Sequence, residues 1–193
     1  MLSVYAIEKS EIYGHGKRVV IWFSGCSLRC KGCINSHLWN KDIGKRCSVE
    51  ELFKEIFSIG DFDGVTYIGG EPLEQGQDLV VLSKKLIDAN KDIVLFTGYE
   101  LEELAEEKLE VYNLSSVVIC GRYIEKERDT GLLLRGSRNQ RIVVKDKNLL
   151  QFYNQEQRQV EVEIGEDYVK FLGFPEDFTD KIKDIWLGAV VLN

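Results

Sequence analysis

Three cysteines stand close together near the start of the chain, Cys26, Cys30 and Cys33, in a C-x3-C-x2-C run. Three thiolates on one short loop can converge on a single metal centre, because the thiolate is the form of cysteine that ligates metals. Iron–sulfur clusters usually take four cysteine ligands, so a cluster held by three leaves one iron free to bind another molecule. The spacing therefore predicts a metal centre with an open coordination position.

Zinc is the main alternative for this run. His37 lies four residues after Cys33 and would complete a Cys3His set, and Cys47 could serve as well. The chain would then be a non-catalytic zinc-binding interaction module. A disulfide framework explains the cysteines poorly, since five is an odd number and we expect no secretion signal in the short apolar start.

A second motif, Gly69-Gly70-Glu71-Pro72, directly follows a strand-like run over 65–68. Adjacent glycines let the backbone approach a ligand closely, and Pro72 fixes the turn. Glu71 can accept hydrogen bonds from an ammonium group. Taken alone, the motif is equally typical of an ordinary turn between a strand and a helix.

The elements around these motifs alternate between strand and helix. Runs of β-branched and aromatic residues predict the strands, and apolar residues at helical spacing predict the helices, the first capped by Ser48 and stopped by Gly60. This alternation predicts a parallel sheet with crossover helices. The predicted strands cover 2–7, 18–23, 64–68, 92–96, 115–119 and 141–144, and the further helices cover 76–89 and 101–108.

The length limits the architecture that these elements can form. A closed eight-fold barrel usually needs about 250 residues, and this chain has 193. The expected fold class is therefore α/β, as an open sheet or an open partial (βα) barrel. In either case ligands bind at the carboxyl ends of the strands, where both motifs lie.

The pattern changes in the last part of the chain. Strand-like runs over 160–164 and 168–172 flank Gly165 and predict a β-hairpin, and a helix over about 176–186 is expected to close the chain. A tail of about 45 residues is too small to stand as an independent domain. We expect residues 1–145 to form the core and residues 146–193 a C-terminal extension packed on it.

The composition is that of one globular domain, with 44% hydrophobic residues, 30% charged residues and two prolines. A net charge of −7 gives no general electrostatic footprint for nucleic acid, and no basic patch dominates the sequence. The uncharged stretch 19–26 near the N-terminus is far too short to span a bilayer. We therefore expect a cytoplasmic protein that binds neither nucleic acid nor membrane.

The pairing of the cysteine run with the G-G-E-P turn resembles the radical S-adenosylmethionine (SAM) superfamily. Further matches over about residues 1–145 resemble the activating-protein family of the anaerobic ribonucleoside-triphosphate reductases. They are Gly14-x-Gly16-x-Arg18, Gly25-Cys26, Gly32-Cys33-x-Asn35, Trp39, Thr97-Gly98-Tyr99 with Glu102, Glu103 and Leu104, Gly121-Arg122, and Arg135-Gly136-Ser137-x-Asn139-Gln140.

The resemblance implies a partial (βα) barrel of the radical SAM type and a [4Fe–4S] cluster on the three cysteines, whose free iron binds SAM. Glu71 would orient the SAM ammonium group. Thr97 would contact the ribose and Tyr99 the adenine, with turn chemistry and core packing as the alternative for both. The cofactor-binding residues implied are Gly69, Gly70, Glu71, Pro72, Asn35 and Thr97, and the metal ligands are Cys26, Cys30 and Cys33.

The resemblance also implies the reaction and its partners. Reductive cleavage of SAM would give a 5′-deoxyadenosyl radical that abstracts hydrogen from a glycine Cα of a glycyl-radical enzyme, an anaerobic ribonucleotide reductase. An external one-electron reductant such as a flavodoxin or ferredoxin would supply the electron. Ile34 and Cys120 depart from the family pattern, so a radical SAM enzyme that modifies another peptide or small molecule is an alternative. Cys120 itself is expected to be a small buried hydrophobe.

Overall fold

The computed structural model describes residues 1–154, 160–164 and 169–173, and the predicted alternation of strands and helices is present in it. The strands are β1 (Leu2–Ser10), β2 (Arg18–Phe23), β3 (Lys45–Cys47), β4 (Gly64–Gly69), β5 (Asp92–Thr97), β6 (Val117–Cys120), β7 (Arg141–Val144), β8 (Val160–Ile164) and β9 (Val169–Gly173). The helices are α1 (Val49–Ser58), α2 (Gln77–Asp88), α3 (Glu106–Leu114) and α4 (Leu150–Tyr153).

Seven of these strands form one mixed sheet in the order β3-β1-β2-β4-β5-β6-β7. The central strands β2, β4, β5 and β6 are parallel, and α1, α2 and α3 connect them in turn. β1 and β3 add an antiparallel edge on one side, and β7 adds one on the other. The predicted parallel sheet is confirmed for these four central strands, whose carboxyl ends therefore meet at one edge.

Apolar cores cover both faces of the sheet. Side chains alternate along β5, so Ile93 and Leu95 join the larger core while Val94 joins the smaller one. The larger core packs against α1, α2 and α3, and the smaller core includes Leu133 and Tyr153. The predicted cap of α1 is also confirmed, since Ser48 and Glu51 exchange hydrogen bonds in a capping box.

Helix α3 begins later than the helix predicted over 101–108, so that prediction is wrong in its bounds. Leu101–Glu103 form a single 3-10 turn, after which Leu104 has an extended backbone. The side chain of Leu104 is only 9% exposed and belongs to the larger core. Burial of this leucine interrupts a run of good helix formers, because tertiary packing outweighs helix propensity.

The predicted hairpin near the end of the chain is present as β8 and β9, which pair antiparallel. The side chain of Ser10 donates a hydrogen bond to Glu161 at 2.6 Å, which connects the hairpin to β1. The helix predicted over 176–186 lies outside the described residues, and the short helix α4 was not predicted. Among the helices of the described residues, none is long and apolar enough to cross a membrane.

Candidate functional site

A cavity opens where the carboxyl ends of the parallel strands meet. Its wall includes Gly69 at the end of β4, Thr97 at the end of β5 and Gly121 just after β6. The three cysteines of the loop after β2 line the same cavity. The structure thus brings the two sequence motifs, some forty positions apart along the chain, to one site.

The loop that carries the cysteines is held by backbone hydrogen bonds to its own returning segment. The N–H of Gly25 donates to the carbonyl of Leu38 at 2.8 Å, and the N–H of Cys26 donates to that of Trp39 at 3.1 Å. Within the loop, the N–H of Cys33 donates to the carbonyl of Cys30 at 3.1 Å. These bonds place all three thiols on one side of the loop, toward the cavity.

The three thiols are half-buried and none is in a disulfide. Burial raises the pKa of the Cys26 thiol to about 11 and also raises the pKa of Cys33. Both are therefore protonated at neutral pH until a metal displaces the proton, since a thiol must ionise to ligate.

Three thiols on one cavity wall are the donor set that a cubane cluster with one open iron requires. Across residues 1–154, 160–164 and 169–173, no three His, Cys, Asp or Glu side chains converge closely enough to hold one metal ion. A [4Fe–4S] cubane binds each thiolate through a different iron. Its three sulfur ligands therefore lie around the cluster and do not converge on a single atom. Three unpaired thiols spaced around one cavity match that requirement.

The additional ligands considered for zinc lie elsewhere. The ring of His37 packs against Tyr5, with centroids 5.6 Å apart, and does not line the cavity. Cys47 is 6% exposed in β3 and belongs to the larger core, as does Cys120, which is 2% exposed. The expectation that Cys120 is a small buried hydrophobe is confirmed.

The two glycines of the second motif are required by a close approach of backbones. A Cβ on Gly69 would lie 2.4 Å from the carbonyl oxygen of Phe23, and one on Gly70 would lie 2.3 Å from that of Gly25. Neighbouring hydrogen bonds join the motif to the same segment, from Gly70 to Phe23 and from Glu71 to Gly25, each at 2.8 Å. The G-G-E-P turn is thus fastened directly to the start of the cysteine loop.

The carboxylate of Glu71 is held from three sides. Its Oε1 accepts from the hydroxyl of Thr97 at 2.9 Å and from the N–H of Leu73 at 3.0 Å, and its Oε2 accepts from the N–H of Gly98 at 2.8 Å. The residue is 1% exposed, and burial raises its pKa to about 7. Because a carboxylate has about four acceptor positions, one remains for a ligand in the cavity.

Asn35 and Pro72, both predicted site residues, have different surroundings. The amide of Asn35 donates to the carbonyl of Gly69 at 3.5 Å, and the residue lines the cavity. Pro72 is buried at the start of a 3-10 turn and does not line the cavity. Tyr99 is also absent from the wall, because its ring packs under the ammonium group of Lys108, 4.0 Å from the ring centroid.

Glu74 is a residue that the motifs did not single out. Its carboxylate accepts from the N–H of Ser27 at 3.0 Å, beside Cys26, and from the hydroxyl of Tyr99 at 3.1 Å. It therefore bridges the cysteine loop to the turn after β5. Its position three residues after Glu71 is no sequence signal by itself, since glutamates are common in turns near the surface.

An aromatic wall forms another part of the cavity that the sequence did not indicate. Tyr13 packs edge-to-face on Trp22 and on Phe96, with centroids 5.4 Å and 6.3 Å apart. The indole N–H of Trp22 is buried without a hydrogen-bond partner in the described part of the chain. A molecule bound in the cavity could accept a hydrogen bond from this N–H.

The polar segment over 135–140 closes the cavity beside β6. The side chain of Gln140 accepts from the N–H of Gly136 at 2.8 Å and donates to the carbonyl of Gly121 at 2.9 Å. Gly136 and Gln140 line the cavity, as does Arg128, whose guanidinium donates to the hydroxyl of Tyr123 at 3.2 Å. Two members of the predicted R-G-S-x-N-Q segment thus reach the site through backbone and amide groups.

Comparisons with known proteins agree with this chemistry. Residues 12–143 match the family described as 4Fe-4S single cluster domain. The anaerobic ribonucleoside-triphosphate reductase-activating protein of Salmonella typhi is 32% identical over 137 residues, which cover 67% of this chain and 89% of that protein. The protein of the same name from Enterobacteria phage T4 is 37% identical over 139 residues, 68% of this chain and 86% of that protein.

Among solved structures, QueE from Escherichia coli aligns with 50% of this chain and 52% of its own, with 20% sequence identity and a TM-score of 0.43.

Proposed function

This chain belongs to the 4Fe-4S single cluster domain family, together with the anaerobic ribonucleoside-triphosphate reductase-activating proteins, and we propose that it is a radical SAM enzyme that generates the glycyl radical of an anaerobic ribonucleotide reductase. The observation that carries this proposal is the convergence on one cavity of three thiols and the turn of Gly69, Gly70 and Glu71. That arrangement suits a cluster with SAM beside it.

Cys26, Cys30 and Cys33 are the proposed ligands of the [4Fe–4S] cluster. When bound, the cluster supplies the electron that cleaves SAM into methionine and a 5′-deoxyadenosyl radical. The role of the chain is to hold SAM in one orientation and to keep competing reactants away.

Glu71 is the proposed acceptor for the SAM ammonium group. Thr97 and Gly98 hold its carboxylate in place, so the remaining acceptor position points to a defined place on the cavity wall. Asn35 and the backbone of Gly69 lie beside it. The proposed contact of Thr97 with the ribose is compatible with its place on the wall, where it also orients Glu71.

The aromatic wall of Tyr13, Trp22 and Phe96 is proposed to keep competing reactants away from the bound SAM. Rings on the cavity wall exclude water from the site. No acid or base is required, since the transferred species is a hydrogen atom.

We propose that the sheet curves as an open partial (βα) barrel and that residues 146–193 pack on the core as an extension. In support, the N–H of Gly173 donates to the hydroxyl of Tyr13 at 3.1 Å, beside the cavity. An open barrel side would admit the glycine-bearing loop of the reductase, and a cytoplasmic location would give access to both that enzyme and the reductant.

The test uses full-length protein reconstituted without oxygen, with SAM and a chemical reductant. 5′-Deoxyadenosine is quantified, and the glycyl radical of an anaerobic ribonucleotide reductase is followed by electron paramagnetic resonance. We expect both signals from the native chain and neither from Cys30→Ala. Cys120→Ala, which removes a thiol that does not line the cavity, should retain both.

Other results would identify the alternatives. Stoichiometric zinc without sulfide, in protein purified anaerobically, would overturn the proposal in favour of the zinc module. 5′-Deoxyadenosine without any radical on the reductase would assign the same chemistry to another peptide or small molecule.

A further inference from the structure

Ile34 stands at the mouth of the cavity. It follows Cys33 on the cysteine loop, lines the cavity and is 51% exposed. Every other described residue that lines the cavity is buried or partly buried. In the part of the chain that the structure describes, Ile34 is therefore the one residue that belongs both to the cavity wall and to the exposed surface.

The backbone around Ile34 is held on both sides. The N–H of Cys33 donates to the carbonyl of Cys30 at 3.1 Å, and the side-chain amide of Asn35 donates to the carbonyl of Gly69 at 3.5 Å. Because isoleucine is branched at Cβ, its side chain has few allowed rotamers. The mouth thus carries an apolar group of restricted shape, next to a proposed ligand of the cluster.

This position suits a contact with a protein better than a contact with SAM. The proposed SAM contacts Glu71 and Thr97 are 1% and 5% exposed, so a small molecule that reaches them is enclosed. A segment of a folded protein has to cross the mouth to reach the same place. A single exposed isoleucine is common on a protein surface, and Ile43, which is 42% exposed and does not line the cavity, is such a residue.

We propose that Ile34 is a specificity-determining contact for the target protein, and that it packs against an apolar side chain next to the glycine that becomes the radical. The inference rests on the proposed function, which brings a glycine-bearing segment to this cavity. Since glycine has no side chain, a side-chain contact at the mouth has to be made by one of its neighbours in the segment. Burial of the exposed part of Ile34 favours an apolar neighbour over a polar one.

The test compares Ile34→Ser with Ile43→Ser in the reconstituted holoenzyme, with SAM and a chemical reductant. Both variants replace an exposed isoleucine, but only Ile34 lines the cavity. The initial rate of glycyl-radical formation is followed by electron paramagnetic resonance over a range of reductase concentrations, which separates the KM for the reductase from kcat. Equilibrium dialysis measures the affinity for SAM. Ile34→Val, which keeps a branched apolar side chain, is the conservative variant.

We expect Ile34→Ser to raise the KM for the reductase about fivefold, because binding no longer buries the apolar surface of the isoleucine. Ile34→Val, which removes a single methylene group, should raise it by about twofold at most. Ile43→Ser should leave it at the native value. The affinity of Ile34→Ser for SAM should change much less than its KM for the reductase.

A change in the target tests the same contact from the other side. Replacing the apolar neighbours of the radical glycine in the reductase by serine should raise the KM of the native chain. Combined with Ile34→Ser, this replacement should raise the KM by less than the product of the two separate effects, because the two side chains lose one shared contact.

Several results would overturn the inference. They are a native KM in Ile34→Ser, the same increase in both serine variants, and effects of the two partners' substitutions that simply multiply. A loss of SAM affinity as large as the rise in KM would assign Ile34 to SAM. By contrast, a native chain that installs no radical on the reductase would overturn the proposed function, and this inference with it.

Discussion

The hydroxyl of Thr97 donates a hydrogen bond to Oε1 of Glu71 at 2.9 Å, between residues 26 positions apart in the sequence. Thr97 ends β5 and Glu71 follows β4, so the bond joins the carboxyl ends of two neighbouring parallel strands. Glu71 is therefore both a candidate ligand-binding group and a structural part of the cavity wall.

Replacing Thr97 by Val keeps the branched shape of the side chain and removes this donor. Because the buried carboxylate loses a partner, we expect the free energy of unfolding to fall by about 1–2 kcal/mol. We also expect weaker SAM binding, since Glu71 is less well oriented. Urea denaturation and equilibrium dialysis of SAM measure the two effects. Thr97→Ser, which retains the hydroxyl, should preserve most of both, and equal behaviour of the two variants would refute the role of the hydroxyl.

Replacing Gly70 by Ala tests the backbone contact between the two motifs. The added Cβ would lie 2.3 Å from the carbonyl oxygen of Gly25, so the turn and the cysteine loop must separate. We expect a loss of about 1–3 kcal/mol in the free energy of unfolding and a lower iron content after reconstitution.

The matched control for this change is Gly131→Ala, whose added Cβ would meet only Asp129 Oδ1, at 3.4 Å. Stability and iron content should stay at native values there. A Gly70→Ala protein with native iron content would show that the contact between the motifs is dispensable for the cluster.

Replacing Glu74 by Gln removes the charge that bridges Ser27 and Tyr99. Hydrogen bonds to a charged acceptor are stronger than neutral ones by roughly a factor of two, so the cysteine loop should be held less firmly. We expect about a tenfold faster loss of iron to a chelator, followed by absorbance. Glu50→Gln breaks an exposed pair with Lys85 and should leave iron loss unchanged, as should any variant that acts only through net charge.

Asp92 should control stability in acid. Its carboxylate contacts Arg18, which is fully buried, at 2.7 Å and His15 at 2.9 Å. Burial raises its pKa, but the hydrogen bonds and charges of His15 and Arg18 outweigh burial and hold the pKa well below its usual range. The ionised form thus stabilises the fold above the ordinary value of about 3.9, and this stabilisation is lost as pH falls below it.

We therefore expect urea midpoints of the native protein to decrease between about pH 5 and pH 2. Asp92→Asn should lower the free energy of unfolding at pH 7 by about 3 kcal/mol, because it leaves the guanidinium of Arg18 buried without its charge partner. It should also flatten the acid dependence. Asp61→Asn, at a side chain that is 87% exposed, should do neither, and an unchanged acid profile in Asp92→Asn would contradict the assignment.

Much of the fold follows from local pattern. The strand over 18–23 and the capped helix after Ser48 agree with the structure because period, cap and flanking glycines all indicate the same element. The start of α3 could not be predicted in this way, since every residue from Glu102 to Lys108 except Leu104 and Ala105 is charged. What decides it is the burial of Leu104 in the larger core.

The candidate site also has a part that the sequence predicts and a part that it does not. The sequence by itself determined the chemistry, because three cysteines at close spacing and a glycine pair before Glu71 are local features that place thiols and a carboxylate at strand ends. Only the tertiary structure decided which groups share the cavity and which hold them there. Glu74, the aromatic wall and the closing Gln140 come from distant segments, and contacts between distant segments depend on strand order and packing, which no local spacing records.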